Sequence, residues 1–228
     1  MSSNLGLTIA VPRGALFAGT VDLLTSLGID TEELRGNDRK LLFEDIGVVT
    51  MRPSDVPTYV EAGAADIGVT GKDVLLEQLA HAPGERGRDV YELMDLGFGR
   101  CTMILASKAD ADPDHDPALE SLRRLGVMRV ATKYPRIAAR YLEETGRQGE
   151  IVEVKGSVEL APLTGMVDAI VDLTATGTTL RENNLVEREQ IVVCTARLIA
   201  NPVSHKLKAA QIDALLAQLR ALPVAGVG

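Results

Sequence analysis

Between Thr174 and Thr179 the chain reads Thr-Ala-Thr-Gly-Thr-Thr, a run of hydroxyls and small residues between an apolar strand and a helix. Such a loop offers backbone N–H groups, hydroxyls and a helix N-terminus to one anion, a recurring way of holding a phosphate. Asp172 falls at the carboxyl end of the strand, where open α/β sheets place their ligands. A phosphate beside a carboxylate that accepts from sugar hydroxyls suggests a phosphorylated ribose. Taken alone, the loop fits an ordinary strand-to-helix turn with a threonine cap equally well, because short Gly/Thr motifs recur by chance.

Basic residues gather in other turns. Arg13 follows Val11-Pro12, Arg39 and Lys40 lie in Asn37-Asp38-Arg39-Lys40-Leu41, Lys72 follows Thr70-Gly71, and Lys133 follows Ala131-Thr132. Each alone reads as a solvated surface charge. Together they favour a site for several phosphates, where arginine suits bidentate recognition better than lysine. Glu159 opens a helix, where a carboxylate suits the dipole as readily as a ligand. Asp66 and Asp168 read as structural residues that open strands. The sequence shows no Ser/His/Asp triad, reactive Cys/His pair or Walker A loop. Chemistry run by positioning and electrostatics, without a covalent intermediate, is what remains.

Composition narrows the field. The net charge of −8, from 24 basic and 32 acidic residues, argues against a general polyanion-binding surface. Aromatics make up 3% and tryptophan is absent, which argues against base stacking on single-stranded nucleic acid. The two cysteines, Cys101 and Cys194, sit in apolar, strand-like contexts and read as buried thiols in a reducing cytosol. His81, His115 and His205 lack metal-ligand spacing and read as surface residues. No secretory or membrane-spanning apolar run is present, so a cytoplasmic location is expected.

The elements that must position these residues follow from periodicity. Strands are expected at Leu7–Val11, Val48–Met51, Asp66–Val69, Thr102–Ala106, Arg129–Ala131, Ile151–Val154, Ala169–Leu173 and Arg197–Ala200. Helices are expected at Leu16–Leu27, Ser54–Ala62, Asp73–Ala80, Ala118–Leu125, Arg136–Thr145, Val158–Thr164 and Ser204–Leu222, with Ser54 and Ser157 at N-caps. The last helix carries an apolar stripe of Leu207, Ala210, Leu215, Leu219 and Leu222. This alternation predicts βαβ units and mainly parallel sheets. Asp110–Pro117 reads as an exposed loop, and the tail from Pro223 as frayed. An internal echo adds to the picture: Gly63-Ala64-Ala65-Asp66-Ile67-Gly68-Val69 parallels Gly165-Met166-Val167-Asp168-Ala169-Ile170-Val171. One copy per lobe suggests two similar α/β lobes. The lobes are expected at 1–96 and 97–186, with 187–228 returning to the first, and Asp95–Arg100 as the crossing.

Several segments together resemble the ATP phosphoribosyltransferase family, short form. They are Arg52-Pro53-Ser54-Asp55-Val56-Pro57, Gly68-Val69-Thr70-Gly71-Lys72-Asp73, Asp95-Leu96-Gly97-Phe98-Gly99-Arg100-Cys101, Ala131-Thr132-Lys133-Tyr134-Pro135, Ser157-Val158-Glu159-Leu160-Ala161-Pro162, and the threonine loop with Leu180-Arg181. The resemblance implies a two-lobed α/β fold similar to type II periplasmic binding proteins, with the active site between the lobes. It also implies transfer of the phosphoribosyl group of phosphoribosyl pyrophosphate (PRPP) to N1 of ATP, with Mg²⁺, as the first step of histidine biosynthesis. A regulatory partner resembling a histidyl-tRNA synthetase is implied too, commonly in a hetero-octamer. Carried over by motif, Ala175, Thr176, Gly177, Thr178 and Thr179 match the loop for the PRPP 5′-phosphate, and Asp172 and Glu159 face the ribose or its ligand shell. Arg39, with Arg13 and Lys72, is expected at the pyrophosphate. Arg13 replaces a lysine of the family's pattern, Ala15 an arginine, and Ala175 an acidic residue. Two other classes remain open on the sequence: a non-catalytic ligand-binding protein of the same fold, and a phosphoribosyltransferase of the Rossmann-like class. The latter's paired acidic residues are missing from Val171-Asp172-Leu173.

Overall fold

The computed structural model describes residues 5–79, 89–109 and 127–222. The helix expected at Ala118–Leu125, the loop at Asp110–Pro117, the tail from Pro223, Ala80, His81 and His115 lie outside the described residues. The chain divides into two units. One takes the described residues 5–75, 89–99 and 195–222, the other 76–79, 100–109 and 127–194.

In the first unit β1 (Ile9–Pro12), β2 (Leu42–Phe43), β3 (Val48–Met51), β4 (Ile67–Gly71), β5 (Tyr91–Asp95) and β11 (Ala196–Ala200) form a six-stranded sheet in the order β2-β3-β1-β4-β11-β5. In the second, β6 (Cys101–Lys108), β7 (Met128–Thr132), β8 (Gly149–Glu153), β9 (Ala169–Thr174) and β10 (Leu185–Cys194) form a five-stranded sheet in the order β10-β6-β9-β7-β8. The helices are α1 (Phe17–Ser26), α2 (Glu32–Gly36), α3 (Val56–Glu61), α4 (Lys72–Leu79), α5 (Pro135–Glu144), α6 (Leu160–Leu163), α7 (Thr178–Glu182), α8 (Pro202–Leu207) and α9 (Ala209–Ala221).

Both sheets are mixed, where the alternation of strands and helices predicts mainly parallel ones. β1 pairs in parallel with β3 and β4, and β7 with β8 and β9. β11 is antiparallel to β4 and β5, β6 to β9 and β10, and β2 to β3. β2, β5 and β10, which the sequence pattern does not mark as strands, are all edge strands. β10 carries the polar stretch Glu187-Arg188-Glu189-Gln190 and register shifts at Glu187/Glu189 and Gln190/Val192, as suits a strand that must not template aggregation. Because β10 runs to Cys194, the chain returns to the first unit at Thr195, and a boundary at 187 would cut this strand.

The continuous apolar runs reflect sheets covered on both faces. Along β6, Met103 and Leu105 pack with Val130, Ala169 and Val171 on one side, while Ile104 and Ala106 pack with Ala131 and Ile170 on the other. Cys194 is buried, Cys101 is half-buried, and the two are cross-strand partners in β10 and β6 without a disulfide. His205 is half-buried and meets the Tyr91 ring edge-on at 5.5 Å, so it is not a plain surface residue.

The sequence echo is a structural one. Asp66 N–H donates to the Thr8 carbonyl at 2.8 Å, and the Thr8 N–H donates back to Asp66 Oδ2 at 2.8 Å. Asp168 repeats this with Arg129, both bonds at 2.9 Å. Each lock precedes the first cross-strand pair, Ile9↔Ile67 or Val130↔Ala169. Each follows a glycine in the left-handed region, Gly63 at φ +75° or Gly165 at φ +74°, which turns the chain from helix to strand.

Asp66 holds more than its strand. Its Oδ2 accepts from Lys208 Nζ at 2.7 Å, and its carbonyl accepts the Asn201 N–H at 2.9 Å. Lys208 also divides the expected Ser204–Leu222 helix into α8 and α9. Leu207 is therefore left exposed, and the buried face is Ile212, Leu215, Leu216 and Leu219. The helix caps fall elsewhere than at Ser54 and Ser157. Asn201 caps α8 by accepting from Val203 and Ser204 N–H at 2.9 Å each, and its Nδ2 donates to the Val60 carbonyl of α3. Ser157 adopts φ +44° two residues before the Glu159 cap position.

Burial pushes the Asp66 carboxyl up, but hydrogen bonds from Lys208 and Thr8 outweigh it and hold the pKa below the usual aspartate value. A depressed folded pKa contributes stability above the unfolded value of about 3.9, and that stability is lost as pH falls through the folded value. Asp66→Asn is expected to cost about 2 kcal/mol of unfolding free energy at pH 7, with the deficit shrinking below about pH 4. Urea unfolding of both proteins across pH measures this, and a deficit of equal size at pH 3 and pH 7 contradicts it.

Candidate functional site

In the second unit β9 delivers the chain to a tight loop. Gly177 stands at the cap of α7 with φ +68°. Its N–H donates to Thr174 Oγ1 at 3.0 Å, and the Thr176 and Thr178 hydroxyls lie 2.9 Å apart. Arg181 braces the turn from α7, donating through Nη1 to the Thr176 carbonyl at 3.1 Å and through Nη2 to Thr178 Oγ1 at 3.0 Å. A Cβ on Gly177 would stand 3.2 Å from that Nη1, so the position suits glycine on two counts. Ala175, Thr176, Thr178 and Thr179 are exposed. α7 is short, so loop hydroxyls and backbone N–H groups supply the attraction for an anion, more than a helix macrodipole does.

Glu159, Asp172 and the 174–179 loop line one cavity of about 160 Å³, floored by Ile104, Ile170 and Leu180. The sequence candidates of the second unit are thus brought together. Asp172 is 9% exposed, and its Oδ1 accepts the Leu173 N–H at 2.8 Å. Burial pushes its carboxyl above the usual range; the Lys133 charge pulls it down and Glu159 pushes it up. Glu159 occupies the N-cap position of α6, but its side chain does not cap that helix. The left-handed Ser157 just upstream is the kind of local strain that clusters at binding loops.

In the first unit the cations sit in separate settings. Arg13 donates to Asp38 Oδ1 and to the carbonyls of Asn37 and Lys40, each at 3.1 Å. Lys40 pairs with Glu33 at 2.6 Å. Lys72, at the start of α4, pairs with Glu92 at 2.6 Å. Glu92 also faces Arg197 at 3.3 Å, and Arg197 reaches Asp95 at 2.9 Å. Arg39 is exposed, and no described residue pairs with its guanidinium. Arg52, exposed just past β3, stands beside Arg13, whose N–H donates to the Met51 carbonyl at 2.7 Å.

Arg181 and Lys133 have no role of their own in the sequence motifs, yet the first braces the threonine loop and the second acts on the Asp172 charge. The first signals itself by following the threonine loop within one helical turn, the second by ending the strand next to β9. Among the described residues no cluster of three or more His, Cys, Asp or Glu could hold a metal ion. None of the described helices is long and apolar enough to cross a membrane.

The HisG family, described as ATP phosphoribosyltransferase, matches residues 52–221. An ATP phosphoribosyltransferase from Rubrobacter xylanophilus is 50% identical over 216 residues, covering 94% of this chain and 95% of that protein. The chain belongs to the ATP phosphoribosyltransferase family. Another ATP phosphoribosyltransferase, from Syntrophotalea carbinolica, is 44% identical over 93% of each chain. Among solved structures, the ATP phosphoribosyl transferase (HisG:HisZ) complex from Thermotoga maritima superposes with a TM-score of 0.73 at 34% identity, covering 93% of this chain and 96% of that one. The periplasmic aliphatic sulphonate binding protein SsuA from Escherichia coli gives a TM-score of 0.56 at 15% identity, over 92% of this chain and 70% of that one, a likeness of fold alone. The fold is thus α/β, shared between ATP phosphoribosyltransferases and periplasmic binding proteins.

Asp172 carries a further consequence. A carboxyl raised by burial takes up a proton on folding, so its ionisation lowers stability as pH climbs through the unfolded value of about 3.9 and then the folded one. That penalty is present above both values. Asp172→Asn keeps an acceptor for the Leu173 N–H and removes the buried charge, so the variant is expected to melt a few degrees above the parent at pH 7 and to lose that advantage in acid. Thermal unfolding at pH 7 and pH 3 checks the sign, and a lower melting temperature at pH 7 contradicts it.

Proposed function

We propose that this chain joins the phosphoribosyl group of PRPP to N1 of ATP, giving N1-(5-phosphoribosyl)-ATP and pyrophosphate, the first step of histidine biosynthesis, in the cytoplasm. The observation that carries the reading is the assembly of the threonine loop, Asp172 and Glu159 around one cavity in a chain of this family. Thr176, Gly177, Thr178 and Thr179, with the Ala175 backbone, hold the 5′-phosphate. Asp172 and Glu159 face the ribose hydroxyls or the ion that accompanies the substrate.

Adenine N1 carries its own lone pair, so no general base has to create the nucleophile. The N1–C1′ bond forms as the C1′–oxygen bond breaks, and that electron pair leaves with pyrophosphate. What the protein supplies is alignment and charge neutralisation. Arg39 is the main protein group on the leaving pyrophosphate, since its guanidinium is exposed while Lys72 shares its charge with Glu92.

Mg²⁺ fits the donor set. It takes hard oxygen ligands and is usually held by one or two carboxylates together with substrate phosphates, not by a protein cage. Asp172 and Glu159 are two such carboxylates in one cavity, and together they do not make a cage on their own. When bound, the ion offsets charge on the pyrophosphate. A histidyl-tRNA-synthetase-like regulatory subunit in a hetero-oligomer, commonly a hetero-octamer, completes the reading. The Thermotoga maritima relative, a HisG:HisZ complex, supports it. Histidine feedback then acts through that partner.

The test is formation of phosphoribosyl-ATP from ATP and PRPP with Mg²⁺ and pyrophosphatase, followed by absorbance, for the chain alone and with the candidate partner. Arg39→Ala is expected to lower kcat by ~10²–10³-fold. A kcat within a few-fold of the parent at saturating substrate removes Arg39 from the leaving group. Binding of both substrates without turnover, even with the partner present, makes the chain a ligand-binding protein.

A further inference from the structure

Arg13 is built into the fold more tightly than a phosphate ligand needs to be. Its backbone N–H is tied to the Met51 carbonyl at 2.7 Å, which fixes its Cα against the end of β3. Its guanidinium lies 4.6 Å over the Phe17 ring, and the side chain is only 20% exposed. From there Nη1 donates to Asp38 Oδ1, and Nη2 donates to the Asn37 and Lys40 carbonyls. All three acceptors belong to the four consecutive residues that contain Arg39, and two of them are backbone. Arg39 itself is not touched.

The loop is also held from within and by α2. Asn37 Oδ1 accepts the N–H groups of Arg39 at 3.2 Å and Lys40 at 3.0 Å. Lys40 Nζ is held by Glu33 and lies 5.0 Å from the centre of the Phe43 ring. The backbone on both sides of Arg39 is therefore anchored, while the Arg39 guanidinium stays exposed. An exposed cation that must meet a charge only as a bond breaks gains from a fixed base, because geometry settled beforehand costs nothing at the moment of reaction.

We propose that Arg13 is a positioning residue: it clamps residues 37–40 and thereby presents Arg39, and it does not itself contact the leaving pyrophosphate. This rests on the reading that Arg39 faces that group. A planar fork with five donors can serve three divergent acceptors at once, whereas a lysine ammonium at the same place is a single point charge on a flexible stem. Retaining the charge at position 13 is then not enough. The direction of the fork matters.

Two measurements test the clamp, one with catalysis and one without. In the kinetic cycle, Arg13→Ala is expected to lower kcat/KM for PRPP by ~10²-fold, the scale of a 1 Å misplacement. The double variant Arg13→Ala/Arg39→Ala is expected to match Arg39→Ala alone within about threefold, since a brace has nothing left to present. Losses that multiply in the double variant overturn the proposal and make Arg13 an independent ligand. Arg13→Lys, which keeps the charge and removes the fork, is expected to behave as Arg13→Ala does; wild-type kinetics in it overturn the proposal too. Hydrogen exchange across residues 37–41, with urea unfolding to confirm that each variant is folded, reads the clamp without reference to substrate. Faster exchange confined to this segment in both Arg13 variants supports the proposal, and unchanged exchange overturns it. Should Arg39→Ala leave turnover intact, the assignment of Arg39 falls, and the exchange result still decides whether Arg13 holds the loop.

Discussion

Each unit hangs on a carboxylate at the head of a buried strand. Asp66 and Asp168 each close a reciprocal pair of hydrogen bonds with a residue near the start of the neighbouring parallel strand, Thr8 or Arg129. A parallel pair has no hairpin to set its register, and a slip of one residue turns every side chain to the opposite face. The aspartate sets it instead. From that fixed start β4 delivers Gly71 and Lys72, and β9 delivers Thr174 and the threonine loop, so the turns that carry chemistry inherit their places from the opposite end of the strand. In the first unit the same carboxylate also gathers Lys208 and, through its carbonyl, Asn201, which fastens the C-terminal helices to the sheet.

The two sets of candidate residues differ in kind. In the second unit the oxygens converge: hydroxyls, a buried carboxylate and a Glu159 that caps no helix share one cavity, where burial raises the Asp172 carboxyl against the pull of the Leu173 N–H and the Lys133 charge. In the first unit most cations are already spent on protein acceptors. Arg13, Lys40, Lys72 and Arg197 all pair within the fold, whereas Arg39 is an exposed charge on a braced loop. A cluster of basic residues in sequence is therefore a poor count of the charge offered to a substrate.

Much of this was legible in the chain because it is written in contiguous residues. The 174–179 loop, its strand and Asp172 form one unbroken segment, and the Gly-x-x-Asp echo carries its own helix end and strand start. What escaped depends on partners far along the chain. β2 is an edge strand of two residues, and the edge strands β5 and β10 break their apolar residues with Glu92 and with Glu187-Arg188-Glu189-Gln190, so the pattern of a buried strand does not mark them. The break at Lys208 follows from a bond to Asp66, 142 residues away. The role of Arg13 rests on carbonyls of residues 37 and 40, and a backbone acceptor leaves no trace in side-chain spelling.

The order of strands in the first sheet has a consequence for how the protein is made. β5 meets that sheet only along β11, and β11 is also the strand that joins β5 to β4. A ribosome extends a chain by about 5–20 residues per second, so the Tyr91–Asp95 segment emerges roughly 5–20 s before its partner Ala196–Ala200 does. During that interval the strands of the second unit's sheet emerge one after another, the last of them, Leu185–Cys194, directly ahead of Ala196–Ala200. The first unit waits with an unfilled position beside β4, one of its most buried strands. The unit that begins the polypeptide is the one completed last, and the nascent chain carries an open strand edge through most of its synthesis.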